Sequence, residues 1–197
     1  MKLGILLLLA SFSSQAYRFI CNGVVASGEE RNDECGICDI KTAARWENSE
    51  VPVVVSDTFL PKKISVSDWH MIVDKSFKAW EVPGSRFRFK KVEGENTREF
   101  GANENLHEIF WITNKQEWRR LVGSGEFGTL GATLPTYVCG DEQSGRVILD
   151  ADLVLNGIGH VNWKVNCDND DCMAVQTTLV HELGHFFGLD HEEVYSS

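Results

Sequence analysis

The spacing of hydrophobic positions changes several times along the chain, and each change marks an element. Val51-Pro52-Val53-Val54-Val55 is a short β-branched run, which predicts a strand. Ser67 is a candidate N-cap, and after it Trp69, Ile72, Val73, Phe77 and Trp80 recur at helical spacing until Pro83-Gly84 stops the pattern. Arg86-Phe87-Arg88-Phe89-Lys90 alternates polar and apolar residues, as a half-buried strand does. Residues 93–107 are polar and read as a loop, whereas Ile109-Phe110-Trp111-Ile112 is continuously apolar and suits a central strand. The glycine-rich segment 123–135 contains Gly128 to Leu134, a candidate edge strand. Arg146 to Asn156 reads as another strand, and Met173 to Phe187 as the last helix. Strand, helix, strand, strand, helix predicts an α+β fold, a mixed sheet with helices packed on it. No internal repeat, low-complexity tract or linker divides this region.

The start of the chain follows different rules. Lys2 precedes an apolar run from Leu3 to Phe12, and Ser14-Gln15-Ala16 supplies small residues two apart. This predicts a secretory signal peptide over residues 1–16, too short to span a bilayer. Residues 17–44 form a polar, cysteine-bearing segment, and 45–197 the main domain. The formal net charge is -10, which disfavours nucleic acid as a partner. All six cysteines, Cys21, Cys35, Cys38, Cys139, Cys167 and Cys172, lie after the leader. In an exported chain an even count predicts disulfides, with Cys167–Cys172 the most local pairing. The other four are expected to tie the N-terminal segment to the loop at Cys139. The protein is thus expected to be secreted, extracellular or periplasmic, with no transmembrane segment.

The chemistry concentrates in Leu179 to His191, "LVHELGHFFGLDH". His181 and His185 are four apart, one turn apart on one helix face. Two imidazoles so placed can share Zn²⁺. Gly188 stops the helix by taking a left-handed turn, and the chain bends back to bring His191 to the same ion. Three neutral nitrogens leave a fourth position for water, whose pKa the metal lowers. Glu182, beside the first ligand, is placed to take the proton and pass it to the leaving amine. Histidines four apart also occur by chance, but the added glycine and third histidine make this pattern far more specific.

H-E-L-G-H-F-F-G-L-D-H matches the H-E-x-x-H-x-x-G-x-x-H signature of the metzincin zinc endopeptidases, and the chain most resembles the matrixins among them. Looser similarities run from Trp46 through Ala79-Trp80, "DADLVLN" and Trp163 to His191. The resemblance implies a twisted mixed sheet over two long helices, zinc on His181, His185 and His191, and Glu182 as general base. It also implies a protein or peptide substrate lying along an edge strand above the metal, for which Gly131, Ala132, Thr133 and Leu134 are the candidates.

Some features depart from that pattern. Metzincins carry a methionine turn after the third histidine, and Met1, Met71 and Met173 all precede His191. Glu192 stands where matrixins commonly have serine. These departures raise two expectations: a further segment or a partner completes the site, or the chain is a zinc-binding protein without activity. Cys35-Gly36-Ile37-Cys38 lacks the preceding strand of a redox motif and reads as disulfide partners. "CGICD" echoes the matrixin cysteine switch faintly, with Glu34 and Cys38 where arginine and proline are expected. Asp150, Asp152 and Asn156, and separately Asp168 to Asp171, are candidate calcium ligands, with exposed acidic loops as the plainer reading. His70, His107 and His160 read as surface or hydrogen-bonded residues. Arg86, Arg88 and Lys90 read as a solvated face. There is no G-x-S-x-G elbow and no phosphate-binding glycine loop.

Overall fold

A computed structural model describes residues 17–19, 44–94, 97–98, 106–123, 128–139, 146–169 and 171–191. The expected leader, Cys21, Cys35, Cys38 and residues 192–197 lie outside them, and so does the pairing expected between the N-terminal cysteines and Cys139. In chain order the elements are β1 (Tyr17–Phe19), β2 (Ala44–Arg45), β3 (Glu50–Val55), α1 (Val66–Trp80), β4 (Arg88–Val92), β5 (His107–Ile112) and α2 (Lys115–Val122). They continue with β6 (Gly131–Cys139), β7 (Arg146–Asn156), β8 (Trp163–Lys164), β9 (Met173–Ala174), α3 (Val175–Phe186) and β10 (Leu189–His191).

Six strands make one mixed sheet, and the fold is α+β as expected. β4, β3, β5 and β7 run parallel as successive neighbours, with β2 parallel to the start of β7. Among the described residues β6 pairs antiparallel with β7 alone and so forms an edge. It begins at Gly131 rather than Gly128 and runs on through Pro135. Proline is tolerated there because an edge strand needs donors on one side only.

Two apolar layers hold the sheet. Val51, Val53, Ile109, Trp111, Leu153 and Leu155 face α1 and α3, meeting Trp69, Ile72, Val73 and Phe77 from the first and Val175, Leu179, Leu183 and Phe186 from the second. On the other face Phe110, Ile112 and Val154 are covered by Trp118 of α2. Cover on both faces explains why the centre of β5, Ile109 to Ile112, is an unbroken apolar run, while Glu108 is buried accepting from the Thr97 and Arg98 N–H groups. The sequence pattern did not predict α2, whose single buried residue is Trp118. The cap of α1 is Ser65 rather than Ser67: its Oγ accepts from the Asp68 backbone N–H at 3.1 Å, the reach an N-cap makes to its third helical residue. Cys167 and Cys172 form a disulfide.

A candidate metal centre at the end of the last helix

α3 turns Val175, Leu179, Leu183 and Phe186 into the core, which leaves His181 and His185 together on another face. Two indoles pin the helix. Trp80 Nε1 donates to the Val180 carbonyl at 3.0 Å, and Trp46 Nε1 donates to the Phe186 carbonyl at 2.9 Å. The second bond satisfies one of the carbonyls that a helix C-terminus leaves without a partner.

Beyond the helix, Gly188 takes φ +89°, and its N–H returns to the His185 carbonyl at 2.9 Å. A Cβ here would overlap the Ala44 carbonyl oxygen, so both the turn and the close approach of β2 need glycine. The turn sends β10 back alongside the helix. The Nε2 atoms of His181, His185 and His191 then lie 3.0, 3.1 and 3.2 Å from one another. Three nitrogens bound to one tetrahedral zinc at about 2.05 Å stand about 3.3 Å apart, so the cluster fits the ion closely. Among the described residues this is the one group of histidine, cysteine or carboxylate side chains able to share an ion.

The protonation states suit ligation. Burial, with the neighbouring His185 and His191 charges, pushes the His181 pKa down to about 4. Burial also lowers His185. The Leu189 carbonyl, 2.7 Å from His185 Nδ1, can only accept, so Nδ1 carries the proton and Nε2 keeps its lone pair for a metal.

Glu182 is buried against β6. Burial pushes its pKa up to about 7, while a hydrogen bond from Thr133 acts the other way. Thr133 Oγ1 lies 2.8 Å from the Glu182 carbonyl oxygen and 3.0 Å from its Oε2. Gly131 makes the space, since a Cβ there would stand 2.8 Å from Glu182 Cγ. Of the four edge-strand candidates, then, Gly131 and Thr133 face Glu182. Ala132 packs on the opposite apolar layer, and alternation puts Leu134 on that side too.

The oxygen-rich residues of β7 have protein partners. Asp150 Oδ1 is 2.7 Å from His107 Nδ1, Asp152 accepts from the Glu108 N–H at 2.9 Å, and Asn156 accepts from the Ile158 N–H while donating to the Thr129 carbonyl. Asp168 and Asn169 are exposed, and Asp170 lies outside the described residues. Sequence reasoning missed two supports of the site. One is the His107–Asp150 pair, on which Trp46 and Phe186 pack. The other is the hold of Thr133 on Glu182, across 49 positions of sequence.

No helix among the described residues is long and apolar enough to cross a membrane. No curated protein matches the chain. The matrixin peptidase family model matches residues 45–197. The match covers most of the chain and takes in the mixed sheet, α3 and the three converging histidines, so the chain belongs to the matrixin family of metzincin metallopeptidases.

Proposed function

We propose that the chain is a secreted zinc endopeptidase whose catalytic unit is residues 45–197. The observation that carries this reading is the convergence of three imidazole nitrogens, two from α3 and one from β10, beside the buried Glu182. His181, His185 and His191 would hold zinc. When bound, zinc supplies Lewis-acid chemistry, acidifying a water and polarising the scissile carbonyl. Glu182 accepts the proton of the attacking water and delivers it to the departing amine nitrogen. In the metal-free protein burial pushes the pKa of this carboxylate up to about 7, and a cation bound beside it would favour the ionised form that accepts a proton. Gly131 and Thr133 keep that carboxylate in one position. An extended peptide docks as an added strand on the side of β6 away from β7, where no described strand pairs. Export is supported by the leader pattern of residues 1–16 and by the disulfide.

Zinc titration of the metal-free protein should saturate at one ion per chain, and His185→Ala should abolish that binding. An unstructured peptide mixture should be cleaved by the loaded protein, spared after chelation, and cleaved again when zinc is returned. Cleavage that survives complete removal of metal would overturn the assignment.

Thr133→Val keeps the side-chain volume and removes the hydroxyl. Hydrogen bonds to charged groups contribute about 1.5–3 kcal/mol, so kcat should fall roughly 10- to 100-fold with KM little changed. Thr133→Ser should retain most of the parent rate. A KM effect without a kcat effect would place Thr133 in substrate binding instead.

A further inference from the structure

The third ligand rests on a short piece of backbone. β10 is three residues long and carries two parts of the metal centre: His191 itself, and the Leu189 carbonyl that orients His185. Two of the three nitrogens therefore depend on where β10 lies. On the helix side it follows α3 through the turn at Gly188 and meets it through the His185 contact with the Leu189 carbonyl and the cluster of imidazoles.

Its strand partner among the described residues is β1. The two run antiparallel, with Tyr17 opposite His191, Arg18 opposite Asp190 and Phe19 opposite Leu189. β1 lies outside the residues matched by the family model, which begin at residue 45. This chain thus places an N-terminal segment of its own against the strand that bears the third ligand.

We propose that β1 is a backbone brace of the metal centre, and that docking of Tyr17–Phe19 and binding of the ion are cooperative. A two-stranded pair this short is marginal by itself. An ion that fixes His191 and His185 also fixes β10 and so favours docking of β1. By reciprocity, docked β1 favours the ion to the same degree. The proposal rests on the reading of the three histidines as zinc ligands.

The test compares zinc affinities, measured by competition with a chromogenic chelator. In the double variant Arg18→Pro, Phe19→Pro, the ladder N–H of whichever residue faces β10 is gone. Its zinc affinity should fall about 10- to 100-fold, the range seen when groups that orient metal ligands are lost. The double variant Arg18→Ala, Phe19→Ala keeps both N–H groups and should bind as the parent does. Equal affinity in parent and proline variant would overturn the brace, and so would an equal loss in the alanine variant. Hydrogen exchange on the unsubstituted protein gives an independent check: zinc should slow exchange of the amides in 17–19 and 189–191 together. Slowing confined to 189–191 would overturn the proposal. A parent that binds no zinc would instead remove the reading of the histidines, and the brace with it.

Discussion

Glu182→Gln is expected to bind one zinc ion per chain and to cleave peptides about 10²- to 10⁴-fold more slowly, the usual contribution of a positioned proton-transfer group. Glutamine has nearly the same shape, so the pocket made by Gly131 is filled as before, and its amide oxygen can still accept from Thr133. What disappears is the ability to take a proton. Stability separates this from a folding defect. Burial raises the Glu182 pKa from 4.5 to about 7, so the folded metal-free protein holds a proton that the unfolded chain releases. The destabilisation this causes is absent below about pH 4.5, grows as pH rises, and is complete above about pH 7. Metal-free Glu182→Gln should therefore be more stable than the parent at pH 8, with the advantage gone near pH 4. Denaturant titration at both pH values reads this. A slow variant that is also less stable at pH 8 would show that glutamine disturbs the site by packing, and the rate loss could not then be assigned to the missing base.

Gly188→Ala should damage both the fold and the metal site. A left-handed backbone costs an ordinary residue about 1–2 kcal/mol. The new methyl would also meet the Ala44 carbonyl, which β2 holds in the sheet, and overpacking of that kind costs about 1–3 kcal/mol. Together these predict a loss of about 2–5 kcal/mol in denaturant unfolding. Relief requires the turn to open, which withdraws β10 and with it His191. Zinc affinity should then fall toward that of a two-histidine site. Gly123→Ala is the control. Its φ is also positive, at +92°, but nothing stands within 4 Å of a Cβ there, so only a backbone cost applies and zinc binding should be untouched. Equal behaviour of the two variants would mean that the turn at Gly188 does not position the third ligand.

The parts of this molecule legible in its sequence are those carried by local spacing. β7 was read with its observed ends because turn-forming residues bound its apolar run on both sides. β5 was recognisable because burial on both faces leaves a continuous hydrophobic string. The metal helix and its turn were visible because ligand spacing, the helical period and a glycine all fall within a dozen residues. α2 was missed because a short, mostly polar helix with one buried tryptophan leaves too little periodicity to detect. The contact of Thr133 with Glu182, the His107–Asp150 pair and the pairing of β1 with β10 were beyond reach for another reason. Each joins residues far apart in sequence, and nothing local in either partner marks the other.

Pro135 sets a limit that the site itself does not display. It sits within the edge strand β6, just past the residues that face Glu182, and it has no N–H to offer. A guest strand zipping along β6 from Gly131 therefore meets a missing rung at Pro135. The docking proposed for an extended peptide uses the rungs before Pro135 and does not need this one. A second copy of the chain pairing edge to edge along the whole strand would lose that hydrogen bond. One proline thus weakens long pairing along this edge and leaves the rungs before it intact.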